Sequence, residues 1–308
     1  MLSRLFLAIA LLGSTGLLHA QTDSNSNGDL GALLSGDAST KTHEYTTATF
    51  KGVRVINGQS IENEAPGVLN FIILHRFGTV QNGFQDLFGL DGAQTRFGFE
   101  YGITKWLTVG LGRSSFEKEY DGLLRAKILR QTMDDHMPIT VSYAVTMMAK
   151  SNEVHLSDST KTYYFSNRLS YCHQILIARK FSERFSLQLS PSLVHYNLVN
   201  DTQDPNNVLA LGIGGRVKLT RRLALTGEYF YQIPGNKITS IPYYNSFSVG
   251  LDIETGGHVF QLHFTNSTGI TERAFIGQTT DSWAKKGGVH LGFNISRVFT
   301  IVKPQEFR

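Results

Sequence analysis

The stretch RFGFEYGITKWLTVGLG (96–112) decides how this chain is read. Phe97, Phe99, Tyr101 and Ile103 alternate with Gly98, Glu100 and Gly102, so a strand of period two carries large apolar groups on one face only. Ile103-Thr104-Lys105 interrupts the pattern briefly, and a second strand-like segment begins near Lys105. Two amphipathic strands joined by so short a link form an antiparallel hairpin.

Working outward, twelve such segments are found, starting near Gly67, Gln94, Lys105, Tyr120, Pro138, Tyr164, Arg184, Asn207, Arg221, Tyr243, Gly257 and Gly288. Each spans roughly the 9 to 11 residues that a tilted transmembrane strand needs. Val141, Tyr143, Val145 and Met147 repeat the alternation, as do Phe247, Val249, Leu251 and Ile253, and Val289, Leu291, Phe293 and Ile295. Short links at 103–105, 131–138, 180–183, 219–222 and 254–257 alternate with longer polar loops at 76–93, 114–120, 150–163, 198–206, 234–242 and 269–287. Outer-membrane barrels segregate periplasmic turns from external loops in this manner, and an even strand number brings both barrel ends to the periplasmic side.

Composition agrees. Mean hydropathy is −0.13, too polar for a helical membrane bundle and natural for a wall facing lipid on one side only. Thirty glycines, twenty phenylalanines and twelve tyrosines against seven prolines suit a strand-rich chain. Cys172 is the sole cysteine, which excludes an internal disulfide framework. The formal charge of +4 comes from scattered residues, so nucleic acid is not an expected partner.

The expected organisation is a signal peptide over 1–20, a leader over 21–66, an all-β antiparallel transmembrane barrel over 67–299, and a short tail over 300–308. Arg4, the apolar run Leu5 to Leu18 and Leu18-His19-Ala20 carry the export reading. That run is shorter than the roughly 20 residues of a spanning helix. TTATFKGVRVI (46–56) is strand-like, and three placements stay open for residues 45–56: the periplasm, the lumen as a plug, or an extra strand. Twelve tilted strands enclose a backbone cylinder about 24 Å across, which inward side chains reduce to a slender lumen.

GLDGAQTRFGFEYGITKWLTVGLGRSSFEKEYDG (89–122), LIARKFSERFSLQLSPSLVHYNLV (176–199), IETGGHVFQLHFTNSTG (253–269) and GGVHLGFNISRVF (287–299) resemble a bacterial outer-membrane β-barrel family catalogued as a domain of unknown function. The likeness runs from about Thr46 to Phe299. It implies an outer-membrane barrel, with membrane lipid and the barrel-insertion machinery as partners, and it supplies no activity. Phe299 stands where such barrels carry an insertion-signal aromatic, although Thr300 to Arg308 follow it.

The candidate functional surface is the lumen. Alternation turns Glu100, Arg125, Lys127, Arg168, Arg216, Lys218, Glu228, Asp252 and His263 inward, with Gln188 and Gln261. They read either as a slightly cationic channel for small polar solutes or as a network of ion pairs closing a narrow barrel. His263-Phe264-Thr265-Asn266-Ser267 is the enzymatic alternative, a lipid hydrolase built on a His–hydroxyl pair. Thr265 stands where the serine is expected, and Ser267 is displaced by two. The loops at 76–93 and 269–287 are long enough for a surface receptor. His173 and His195 lie on one hairpin and face outward, with a bulge near Pro191 as the alternative; two histidines without a third ligand do not define a metal site. No cofactor or catalytic set is expected. Gly110-Leu111-Gly112 and Gly212-Ile213-Gly214-Gly215 lack the helix and Lys-Ser/Thr of a phosphate loop, and inward glycines make room in a crowded interior.

Overall fold

The computed structural model describes residues 44–152, 163–199, 201, 203–284 and 287–303. The expected signal peptide, and the leader before residue 44, lie outside these residues. The first six strands are β1 (Val68–Thr79), β2 (Ala93–Gly102), β3 (Leu107–Ser114), β4 (Glu119–Leu129), β5 (Thr140–Lys150) and β6 (Leu169–Lys180). The second six are β7 (Phe185–Tyr196), β8 (Asn207–Lys218), β9 (Leu223–Gln232), β10 (Ser246–Thr255), β11 (His258–Thr265) and β12 (His290–Thr300). Each pairs antiparallel with its neighbours in sequence, and β12 closes on β1 through pairs such as Ile73–Ile295. The sheet is a closed barrel. Closure satisfies the backbone donors that an open edge would strand in hydrocarbon.

Phe97 and Phe99 are each 48% exposed on the outer wall, whereas Arg96 and Glu100, on either side of the pair, are buried at 2% and 1%. The same division runs round the barrel, with Leu111, Met147, Ile213 and Leu262 outside and Asp121, Ser142, Gly212 and His263 inside. Exposing an apolar belt of this kind to water would cost about 1.5–3 kcal/mol per side chain, so the outer wall belongs in lipid.

Three short turns share one chemistry. In Ile103–Leu107, Phe181–Phe185 and Leu219–Leu223, the first residue's N–H donates to the last residue's carbonyl at 2.9, 3.0 and 2.9 Å. In each, the second residue is Thr104, Ser182 or Thr220, whose hydroxyl accepts the N–H groups two and three residues on. A hydroxyl that satisfies turn donors fixes the reversal locally. The β10–β11 link instead uses Gly256 and Gly257 at φ +41° and +105°, a two-residue reversal that L side chains resist.

Three expectations change. β6 begins at Leu169 rather than near Tyr164, because 165–168 forms a 3-10 turn in which Tyr164 N–H donates to Asn167 Oδ1 at 2.9 Å. β10 begins at Ser246 rather than near Tyr243, since Tyr244 N–H is taken by the Thr279 carbonyl. No bulge forms at Pro191: Gln174–Ser192 and Ile177–Leu189 keep one register across it, and Pro191 itself faces Leu211.

Of residues 45–56, for which three placements were open, Tyr45 to Ala48 lie at the barrel mouth and the rest enter the lumen. Tyr45 bridges to Thr132 and Thr46 N–H donates to the Gln131 carbonyl, which fixes one end at the turn between β4 and β5. Gly67 N–H donates to Gly102, which fixes the other end beside β2. Between these anchors the chain makes a small hairpin, with an Arg54–Gln59 bridge and Val55 N–H donating to the Gly58 carbonyl at 2.9 Å. Phe50, Val53, Val55, Ile56 and Ile61 are all at most 3% exposed. From the opposite mouth the β11–β12 loop descends, carrying the short helix α1 (Glu272–Gly277), every residue of which is buried.

Candidate functional site

The site is the seam between the hairpin and the barrel wall. Its centre is Glu228 on β9, whose carboxylate accepts three successive hairpin N–H groups: Ile56 at 3.2 Å, Asn57 at 2.7 Å and Gly58 at 3.0 Å. A hairpin tip offers such a fan of unpaired donors, and a buried carboxylate is the group that can take all of them. The Asn57 side chain completes the seat, with Oδ1 accepting Arg76 Nη2 at 2.6 Å and Nδ2 donating to Ser248 Oγ at 2.8 Å.

Other wall groups grip the hairpin's flanks. Arg125 donates to Gln59 Oε1 and Glu100 Oε2, each at 2.7 Å, and to Asn63 Oδ1 at 3.1 Å. Gln188, Gln261 and Asn294 each donate to a hairpin carbonyl at 2.8 Å, those of Gln59, Val55 and Ile56. Arg216 reaches the carbonyls of Ala48 and Thr49. Asp252 accepts Gln261 at 3.0 Å and Thr226 at 3.1 Å, so it orients the wall rather than touching the hairpin.

Apolar contacts share the load. Phe50, Val55 and Ile61 cluster with Leu123, Ala144, Leu176 and Ala178, and Val53 joins Ile72, Leu74 and Ile270. The lumen is therefore not uniformly polar, and wall ion pairs alone do not fill it. Gly214 on β8 faces Val55 so closely that an added Cβ would stand 3.2 Å from its methyl group.

The two closures meet. Glu272 Oε1 of α1 accepts Arg54 Nη1 at 2.9 Å and Gln59 Nε2 at 2.8 Å. The next residue of α1, Arg273, ties the same end of the helix to the wall, donating to Glu119 at 2.7 Å and pairing with Glu117. Burial would raise the Glu117 carboxyl, but Arg273 and Lys150 together outweigh it and hold it below the usual carboxylate range. Phe275 and Ile276 pack with Met148, Tyr196 and Phe230 on the inner wall.

The remaining expected residues are placed as follows. Lys127 and Lys218 are half-buried toward the mouth that holds the short turns. Arg168 is not on a strand; it sits in the 3-10 turn at the outer rim, its guanidinium 5.5 Å from the Tyr163 ring. His263 is fully buried over Gly292, and neither ring nitrogen has a hydrogen-bond partner among the described residues. Thr265 Oγ1 is engaged with Ser248, and Ser267 Oγ donates to the Gly269 carbonyl, so the His–hydroxyl pair of acyl transfer is not made. His173 and His195 face outward, where they bond Tyr143 at 2.6 Å and Asn207 at 2.7 Å rather than each other. Among the described residues no group of three potential metal ligands occurs.

Sequence reasoning missed Arg76, Arg96, Asp121, Asn294 and Glu272. The first four follow by extending the alternation along β1, β2, β4 and β12. Glu272 carries no such signal, because its position depends on how a loop folds back.

A closed twelve-stranded antiparallel sheet with a lipid-facing belt and a filled lumen defines an outer-membrane β-barrel. Residues 50–299 match DUF5777, described as a membrane bound beta barrel domain, and the chain belongs to that family. The match includes most of the hairpin as well as the barrel. Among solved structures the chain is similar to the NanC porin, at 10% identity over 76% of this chain and 100% of that one, with a TM-score of 0.45. It is also similar to the COG4313 outer membrane channel from Pseudomonas putida F1, at 12% identity over 77% and 97%, TM-score 0.44. The Pseudomonas putida toluene transporter TodX gives 10% identity over 83% of this chain and 93% of that one, with a TM-score of 0.39. No curated protein matches the sequence.

Proposed function

We propose that this protein is an outer-membrane channel for small polar solutes that rests closed, with the 45–66 hairpin as its gate. The observation that carries this reading is the way the hairpin is attached. Both of its ends are anchored at the mouth that holds the short turns, and none of its residues from Phe50 to Ile61 belongs to the barrel ladder. It can therefore leave the lumen without breaking a strand pair.

The seat supports the same reading. Much of it consists of hydrogen bonds from wall side chains to hairpin backbone, and water can replace such bonds when the hairpin withdraws. The wall left behind carries Arg76, Arg216, Glu228 and Asp252 in near balance, so the open bore selects weakly by charge. The slightly cationic lumen expected from sequence is offset by these carboxylates.

Planar-bilayer recording tests the proposal. The full chain is expected to be silent apart from brief openings, and a variant lacking residues 45–64 to conduct steadily. A correctly folded deletion variant without conductance would sink the channel reading and leave a sealed structural barrel.

A further inference from the structure

Beside the hairpin, at the mouth that holds the short turns, lies an open pocket of about 350 Å³ that the gate does not use. Hairpin residues from Phe50 to Val53 and from Glu62 to Glu64 form one side. Asn70 of β1, the β10–β11 turn, and Ser296 and Val298 of β12 form the other. Three carboxylates line it, those of Glu62, Glu64 and Glu254, against one lysine, Lys51.

Two further observations say what chemistry it takes. Asn70 lines the pocket, is 2% exposed, donates from Nδ2 to Glu64 at 2.7 Å, and leaves its buried Oδ1 without a partner among the described residues. A buried orphan acceptor is costly unless a donor reaches it. Lys51 supplies the second: its ammonium pairs with Glu254, both residues line the pocket, and Phe50, Val53 and Val259 line it beside them. The chain thus seats one alkylammonium there already.

We propose that this pocket binds a small alkyl diamine, with one ammonium held by Glu62, Glu64 and Asn70 Oδ1, the other beside Lys51 at the Glu254 carboxylate, and its methylenes against Phe50, Val53 and Val259. Burial, with Glu100 nearby, pushes the Glu64 carboxyl up to about 7. A bound ammonium reverses that pressure, because an adjacent cation favours the ionised form. Arg125 does not compete for the site, since Glu100, Gln59 and Asn63 occupy its donors. Lys127 shares the field of Glu62 but does not line the pocket.

A ligand here touches hairpin and wall together, so it would hold the gate shut; that consequence rests on the channel reading, whereas the binding does not. The test is calorimetric titration of the full-length protein in detergent with 1,4-diaminobutane, alongside butylamine, succinate and Mg²⁺. The diamine is expected to bind with a dissociation constant below about 1 mM, and Glu64→Gln to weaken it about tenfold or more. Glu62→Gln, on the rim and less bound up with folding, should weaken it too, while Glu183→Gln on a distant turn leaves it unchanged. Absence of diamine binding, affinity indifferent to both Glu62 and Glu64 variants, or Mg²⁺ binding as tightly as the diamine would each overturn the proposal. Conductance is not part of this readout, so a failed gate and a failed pocket are told apart.

Discussion

Arg54 donates to Glu272 at 2.9 Å, and this one ion pair joins a segment anchored at one mouth of the barrel to a helix descending from the other. Both side chains are at most 3% exposed, so the pair is not screened by solvent. Breaking one side strands the other charge in the interior. Arg54→Ala and Glu272→Ala should each raise hydrogen exchange across residues 53–60. The double variant should cost less than the sum of the two, with a coupling of about 1–3 kcal/mol. Strict additivity would show that the two closures do not sense each other.

Glu228 is the next point of leverage, because it takes three hairpin N–H groups at once. Glu228→Leu leaves those donors unanswered in an apolar setting, at a cost of about 2–4 kcal/mol to the seated state. The barrel ladder is untouched, so the expected phenotype is a folded protein with a raised open probability. Single-channel recording measures it. A Glu228→Leu protein as silent as the wild type would mean that apolar packing alone holds the hairpin.

Arg96 shows how tightly the wall is fitted around a buried charge. It pairs with Asp121 at 2.5 and 2.8 Å, and Gly98 and Gly112 give its guanidinium room. A Cβ on Gly112 would stand 2.3 Å from Arg96 Nη2, so Gly112→Ala must push the guanidinium off its partner. We expect a loss of about 1–3 kcal/mol in denaturant unfolding from micelles. Gly122→Ala, which meets only Leu111 at 3.9 Å on the outer wall, serves as the neutral comparison.

These residues also show what the sequence made legible. Period-two alternation located all twelve strands, since lipid on one side and a packed interior on the other impose opposite demands on successive residues. The short links that hold Thr104, Ser182 and Thr220 were legible by their length alone, whereas the hydroxyl bonds they share belong to the folded turns. Arg76 escaped notice because residues 76–93 read as a loop, whereas β1 runs on to Thr79; earlier on that strand Ile72 and Leu74 point inward to meet Val53 and Ile270. That inward pair was itself a sign of something apolar inside the lumen. Glu272 and Asn57 were out of reach, because the partners that define them are separated by up to 218 positions and set by tertiary packing alone.

The two mouths should respond to pH in opposite senses. Glu64, beside the hairpin's end, is raised from 4.5 to about 7 by burial and by Glu100. Once the hairpin withdraws, the carboxyl returns toward its ordinary value, so between about 4.5 and 7 the seated state binds more protons than the withdrawn one. Seating is then strongest in acid, weakens as pH rises through that window, and is level above it. The change is on the order of 2–3 kcal/mol. Glu117 behaves in reverse, since its lowered carboxyl stabilises the Arg273 contact above the ordinary carboxylate range and loses that contribution as pH falls through its depressed value. Acid should therefore tighten residues 53–60 while loosening residues 272–277. Hydrogen exchange, corrected for the intrinsic rate at each pH, reads both segments in one experiment. Glu64→Gln should flatten the first response and leave the second intact, and parallel pH slopes at the two segments would contradict the assignment.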